Sequence, residues 1–248
     1  MKQYGIIGHP VAQSFSARYF TDKFAHEQID ARYCLYDLPC LNNQDQLPDL
    51  DGYNVTIPYK LQIMPLLDAI DPIAQRIGAV NVVQRTMQNG QPHTIGYNTD
   101  YLGFMRSIRP LLRKTDKQAL VWGTGGAAKA VTYALTQLGL YPTMVSRHPQ
   151  TADQLAYNKL TPEIISTHTV LVNCTPVGMW PDSNACLPIP YEAITSAHLL
   201  FDCIYNPKET LFLQRGREHG ARICNGYEML INQAEEAWKI WEQRIDNR

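Results

Sequence analysis

One run, Ala119-Leu120-Val121-Trp122-Gly123-Thr124-Gly125-Gly126-Ala127-Ala128, has the residue types and order needed to hold a pyrophosphate. Its apolar start reads as a short buried strand and its end as the opening of a helix. Gly123 lets the chain turn tightly, and Gly125 lets the backbone approach a phosphate with no side chain in the way. Ala128 keeps the helix close to the sheet. The first N–H groups of that helix, around Gly126 and Ala127, then face the anion. A tight structural turn without a ligand is the competing reading. A P-loop is excluded, because Ala128 precedes Lys129 where that motif needs glycine, and Ala130 stands where a hydroxyl would hold magnesium. The next strand ends Met144-Val145-Ser146-Arg147-His148 without an acid to bind a ribose 2′-hydroxyl. Arg147 is either a solvated surface residue or a partner for a 2′-phosphate, and the second reading points to NADP.

A second set of polar residues lies in the first hundred. Ser14 and Ser16 stand at the entry of a helix, where one is an N-cap or both grip a carboxylate. Lys60, after Asn54-Val55-Thr56-Ile57-Pro58-Tyr59, is either solvated or a catalytic group. Asp100, after Asn98-Thr99, is either an ordinary first-turn acid or a functional one. Six cysteines include no Cys-x-x-Cys pair, so zinc knuckles and thioredoxin-type chemistry are excluded. Buried, reduced, structural thiols are the expectation for Cys174, Cys203 and Cys224.

These residues need elements to position them. Strand-like and helix-like stretches alternate along the chain, the pattern of an α/β protein with largely parallel sheets. Strands are expected at Tyr4–Ile7, around Tyr33–Leu38, and at Ala119–Trp122, Thr143–Ser146, Val170–Asn173 and Leu199–Asp202. Val80–Arg85 and Thr94–Tyr97 flank Asn89-Gly90, a hairpin signal. Helices are expected at Ser16–Gln28, Tyr101–Leu112 and Ala127–Leu138, the last ended by Gly139. Leu230, Ala234, Trp238, Trp241 and Ile245 form the apolar stripe of a final helix, with Glu235 and Lys239 spaced to pair. The 248 residues suit two units with a boundary near 100. A net charge of -1 excludes nucleic acid held by bulk charge, and 45% apolar with 10% aromatic content excludes disorder. No apolar run approaches the ~20 residues of a membrane span, and the opening residues are too short a stretch for a secretory signal. A cytoplasmic location is the expectation.

Taken together, the segments resemble the shikimate dehydrogenase family. The resemblance rests on Gly-x-Pro-Val-x-x-Ser-x-Ser at 8–16, Asn-Val-Thr-Ile-Pro-x-Lys at 54–60, Gly-Ala-Val-Asn at 78–81 and Gly-x-Asn-Thr-Asp-x-x-Gly at 96–103. It continues through Gly-x-Gly-Gly-Ala-Ala at 123–128, Asn-Cys-Thr-Pro-Val-Gly-Met at 173–179 and Asp-Cys-Ile-Tyr-Asn-Pro at 202–207, and ends at Gly226-Tyr-Glu-Met-Leu-Ile-Asn-Gln233. It implies two α/β domains with a cleft between them: a substrate-binding domain of 1–101 plus 226–248, and a Rossmann-like NADP-binding domain of 102–225. Lys60 and Asp100 would be catalytic. Ser14 and Ser16 would bind the shikimate carboxylate, with Asn54, Thr56, Asn81, Tyr205 and Gln233 (and Asp100) around the hydroxyl-bearing ring. Gly123, Thr124, Gly125, Gly126, Ala127, Ser146, Arg147 and Thr175 would hold the dinucleotide, with Cys203, Gly226 and Met229 near the nicotinamide. Gln13 stands where many members have His, Ala17 where many have Pro, and Ser146 where the family has Asn.

The implied activity is NADPH-dependent reduction of 3-dehydroshikimate to shikimate, in the chorismate route to aromatic amino acids. No metal is expected, and no nucleic-acid or membrane partner; the chain would act as a monomer or homodimer. Two other activities compete: a quinate/shikimate dehydrogenase using NAD, and a non-catalytic NADP(H)-binding regulator. The regulator would be expected to lack Lys60 or Asp100, and both are present.

Overall fold

The computed structural model describes residues 1–12 and 14–242; Gln13 and Ile245, both singled out above, lie outside them. The chain divides into two compact units, Met1–Asp100 with Gln233–Arg248, and Tyr101–Asn232.

In the first unit the order is β1 (Lys2–Gly8), α1 (Phe15–His26), β2 (Ala31–Asp37), β3 (Gly52–Val55), β4 (Ala69–Ile70), α2 (Pro72–Ile77), β5 (Val82–Gln88) and β6 (Gln91–Tyr97). The six strands form one sheet in the order β2-β1-β3-β5-β6-β4. β1 pairs in parallel with β2 and β3, whereas β5 runs antiparallel to both β3 and β6. The sheet is therefore mixed. Asn89 (φ 52) and Gly90 (φ 76) make the tight β5–β6 turn with both central residues left-handed, the backbone such a hairpin needs. The helix expected to reach Gln28 stops at His26. There Gln28 turns left-handed at φ 55, and Ile29 N–H returns to the Phe24 carbonyl.

The second unit runs through most of α3 (Asp100–Ile108), β7 (Gln118–Trp122), α4 (Gly126–Gln137), β8 (Tyr141–Ser146), β9 (Leu155–Ala156), α5 (Pro162–Thr167), β10 (Val170–Asn173), β11 (Leu199–Asp202), α6 (Leu211–Glu218) and β12 (Arg222–Cys224). Its sheet, ordered β12-β11-β10-β7-β8-β9, is parallel throughout. In the unit's own chain order that is 3-2-1-4-5-6 read from the β9 edge, the Rossmann arrangement, with its reversal between β7 and β10. Strand alternation divides the core cleanly. Ala119, Val121, Val170, Val172, Leu199 and Phe201 face one apolar layer, and Leu120, Trp122, Leu171 and Leu200 face the other. Burial on both faces explains why these strands read as unbroken apolar runs.

The final helix, α7 (Tyr227–Glu242), begins in the second unit and ends in the first. Met229 packs with Phe104, Val121 and Phe201. For that reason residues 226–232 group with the second unit, although the resemblance assigned them to the substrate-binding domain. Ala234, Ala237, Trp238 and Trp241 pack with Tyr4, Phe20 and Phe24 of the first unit. Trp241 stacks on Tyr4 at 4.9 Å and donates its indole N–H to the Val83 carbonyl at 3.0 Å. A Cβ at Gly52 would stand 2.5 Å from that indole, so the strand accommodates the ring only because position 52 is glycine. The expected Glu235–Lys239 pair is not formed. Glu235 instead pairs with Lys23 of α1 at 3.1 Å, and Lys239 with Glu236 at 2.7 Å. Among the described residues no helix is long and apolar enough to cross a membrane.

Candidate functional site

Lys60, Asn81, Asp100 and Gln233 converge in the first unit. Asn81 is fixed by its backbone, its N–H donating to the Tyr97 carbonyl at 3.0 Å and its carbonyl accepting from Val55 N–H at 2.8 Å. The Lys60 carbonyl accepts from Val80 N–H at 2.8 Å, which holds Lys60 beside it. Lys60 Nζ donates to Asp100 Oδ2 at 2.6 Å, with side chains 14% and 7% exposed. Asn81 Nδ2 donates to Asp100 Oδ1 at 2.9 Å and reaches Gln233 Oε1 at 3.3 Å. Thr99 closes the arrangement, its N–H donating to Asn81 Oδ1 at 2.7 Å. Both oxygens of Asp100 are thus engaged, and a lysine ammonium that gives one of its three N–H groups to Asp100 has two left to offer a ligand.

The remaining candidates in this unit lie on β3, just after it, and at the start of α1. Asn54 accepts at Oδ1 from the Tyr33 hydroxyl at 2.6 Å, and its Nδ2 lies 3.5 Å from the Asn81 carbonyl. Burial pushes the Tyr33 phenol well above its ordinary range, with Ser16 hydrogen bonding as the opposing influence. Thr56 leaves β3 with its N–H on the Ile7 carbonyl at 2.9 Å. Ser14 occupies the N-cap position of α1 but makes no capping hydrogen bond, and the first turn holds no acid. The serine hydroxyls therefore sit beside an N-terminus whose dipole favours an anion. Tyr33 and Thr99 were not singled out from the sequence. Tyr33 carried no signal beyond an apolar strand pattern, whereas Thr99 sat inside a motif already noted.

In the second unit, Gly123 takes φ 115 and gives the turn at the end of β7, a conformation that favours glycine. Gly125 is the N-cap of α4 and brings no side chain to cap it, and no acid follows in the first turn. A Cβ at Gly125 would meet nothing within 4 Å, so the N-terminus of α4 opens onto unfilled space. Thr124 is exposed, Ala127 half-buried and Ala128 buried. Ser146 Oγ accepts from His148 N–H at 3.1 Å, turning the chain after β8 where the exposed Arg147 projects. An uncapped helix start, open space above it and a cation after the next strand fit a dinucleotide bearing a 2′-phosphate.

Thr175, Cys203 and Tyr205 follow β10 and β11 in the same unit, while Gly226 precedes α7 and Met229 lies in its first turn. Beneath them lies a cluster that the sequence reading missed. Asp202 accepts from Thr210 Oγ1 at 2.6 Å, Ile204 N–H at 3.0 Å and Asn173 Nδ2 at 3.1 Å. Asn173 Oδ1 in turn accepts from the Thr175 N–H and hydroxyl at 2.9 and 2.7 Å. Burial pushes the Asp202 carboxyl up to about 6, against these hydrogen bonds, which favour the ionised form. The available signal was positional, since Asn173 and Asp202 each end a short apolar strand and are register partners.

Comparison with known proteins places the chain among its relatives. Residues 6–83 match the model of the shikimate dehydrogenase substrate binding domain. A shikimate dehydrogenase (NADP(+)) of Shouchella clausii is 37% identical over 266 residues, covering 100% of this chain and 95% of that protein. The crystal structure of a shikimate dehydrogenase from Aquifex aeolicus superposes with a TM-score of 0.84 at 31% identity, covering 100% of this chain and 98% of that one. A shikimate 5-dehydrogenase from Thermus thermophilus, solved with NADP(H) and shikimate, gives 0.83 at 31% identity, covering 98% and 94%. With the matched residues spread over nearly the full length, the chain belongs to the shikimate dehydrogenase family.

Proposed function

We propose that this protein catalyses the reversible, NADP-dependent interconversion of shikimate and 3-dehydroshikimate. The observation that carries the reading is the 2.6 Å Lys60–Asp100 pair, held by Asn81 beside Gln233. When bound, NADPH supplies the hydride for the ring ketone. Ser14 and Ser16 grip the substrate carboxylate at the N-terminus of α1, aided by a dipole worth about 0.3–1 kcal/mol for an anion there. Asn54, Thr56, Asn81, Tyr205 and Gln233 address the ring hydroxyls. As negative charge develops on the carbonyl oxygen, Lys60 donates a hydrogen bond and then a proton to it. Asp100 keeps the ammonium aimed and accepts from a ring hydroxyl. The positive charge of Lys60 meets the oxyanion, so the reaction calls for no metal.

Gly123 to Ala127 cradle the pyrophosphate with backbone N–H groups, and Ser146 and Arg147 meet the 2′-phosphate. Thr175, Cys203, Gly226 and Met229 complete the dinucleotide site. The substrate-binding domain of 1–101 and 226–248, and the NADP domain of 102–225, are the functional division in this reading. The protein works in the cytoplasm as a monomer or homodimer.

The test is steady-state formation of reduced nicotinamide from purified protein, with shikimate or quinate offered against NADP or NAD. Turnover confined to shikimate with NADP is the expected result. Comparable rates with quinate or NAD would reassign the specificity, and a folded protein inactive in every combination would end the enzyme reading.

A further inference from the structure

Two thiols stand side by side at the carboxyl ends of neighbouring parallel strands in the second unit. Cys174 follows β10, Cys203 follows β11, and their sulfurs are 3.5 Å apart. They immediately follow Asn173 and Asp202, the last register pair of the two strands. Adjacent strands run about 4.8 Å apart, within the Cα separation of about 4.4–6.8 Å that a disulfide spans. Both backbones are anchored: Cys174 N–H donates to the Trp122 carbonyl and Cys203 N–H to the Asn173 carbonyl, each at 2.9 Å. The Asn173–Asp202 hydrogen bond clamps the residues just before them. Fixed backbones hold the two sulfurs at high effective concentration.

We propose that Cys174 and Cys203 are a thiol–disulfide pair, oxidised by low-molecular-weight disulfides, and that closing the bond weakens dinucleotide binding. One cysteine thiolate attacks a sulfur of the small disulfide and forms a mixed disulfide. The departing small thiolate takes up the proton that the cysteine gave up. The second cysteine then attacks the protein sulfur of the mixed disulfide, and the second small thiol leaves with the second proton. Two protein sulfurs are oxidised, and one small disulfide is reduced to two thiols.

The coupling follows from what the cysteines touch, and it rests on the reading of the glycine turn as a dinucleotide site. Cys174 lies at the end of β10, beside the β7–β10 reversal where such sheets bind ligands. Its carbonyl oxygen would be 3.2 Å, and its Cβ 3.6 Å, from a Cβ at Gly123. The Cys203 carbonyl is packed so closely on Gly226 that a Cβ there would collide with it. A bond between the sulfurs, 3.5 Å apart as thiols, therefore ties together the two backbones that frame the turn, so that neither adjusts independently around a dinucleotide. Cys224 is a poor competitor for exchange, since burial raises its thiol to about 11.

The experiment incubates the full chain with oxidised glutathione, then measures thiols, intact mass, peptide cross-links and NADP affinity. The expected product has lost two of its six thiols and two hydrogens of mass. Its cross-linked peptide joins Cys174 to Cys203, NADP binds about tenfold more weakly, and dithiothreitol restores both. Reciprocity then requires saturating NADP to raise the pair's reduction potential by about 30 mV. Cys174→Ser and Cys174→Ala should abolish the cross-link, while Cys224→Ser should keep it. Glutathione adducts without an internal cross-link would overturn the pair. A cross-link with unchanged NADP affinity would overturn the coupling. A reduced chain that binds no NADP would instead sink the reading of the turn, and the cross-link would still decide the disulfide.

Discussion

Asp100, at the start of α3 in the first unit, and Asp202, at the end of β11 in the second, are both buried carboxylates, yet their surroundings differ in kind. Asp100 faces a cation, Lys60, at 2.6 Å. Asp202 faces only neutral donors, from Thr210, Ile204 and Asn173, and burial carries it to about 6. The contrast extends to the two proposed sites. The first unit works through side chains gathered from distant segments, with Asn81 and Gln233 separated by 152 positions. The second works through backbone, where one turn offers N–H groups and the missing side chain of Gly125 leaves the room. Charge chemistry needs paired side chains, and anion cradling needs bare backbone, so substitutions should damage the two units differently.

The largest effect should come from Asp100→Ala. Removing one partner of a buried ion pair leaves the other uncompensated at a cost of about 3–5 kcal/mol, so urea unfolding should show a loss of that size together with lost turnover. Asp100→Asn, which keeps an oxygen acceptor, should unfold closer to wild type. An Asp100→Ala chain of normal stability would erase the contrast with Asp202.

Asp202 should reveal itself through pH. Its folded-state carboxyl, raised to about 6, binds a proton more tightly than the unfolded one, so its favourable contribution is complete below the unfolded value near 4. That contribution is lost as pH rises through about 6. The rise from about 4 to about 6 corresponds to about 3 kcal/mol. Unfolding free energies of wild type and Asp202→Asn should therefore diverge in slope between pH 4 and 6, and parallel curves would remove the assignment.

A smaller effect, confined to one cofactor, is expected at Arg147. A charge-assisted hydrogen bond contributes about 1.5–3 kcal/mol, so Arg147→Ala should lower kcat/KM for NADP by about 10- to 100-fold and leave the NAD value unchanged. Equal losses with both cofactors would mean that the arginine does not read the 2′-phosphate.

What was legible in the sequence follows the same division. The Gly123–Ala128 turn, the Asn89-Gly90 hairpin and the Gly139 helix end (φ 80) are local, because a backbone conformation is dictated by adjacent residues. Lys60 and Asp100 were ambiguous as isolated residues and Gln233 carried no signal of its own; all three became specific only through the family resemblance, since their chemistry exists only once the fold gathers them. Glu235 shows the limit of local reasoning. Spacing along the helix offered Lys239, but Lys23 from another helix took its carboxylate, supported by the Tyr19 hydroxyl. The Asn173–Asp202–Thr210 cluster went unread because each member has an ordinary role at a strand or helix end when taken alone.

The division of labour is tested most directly by Lys60→Ala, assayed for turnover and for NADPH affinity on the same preparation. Turnover should fall by about 10²–10⁴-fold with the NADPH dissociation constant unchanged, because the proposed dinucleotide site is built from the backbone of the other unit. Near-normal turnover, or NADPH affinity lost in parallel with turnover, would contradict the account.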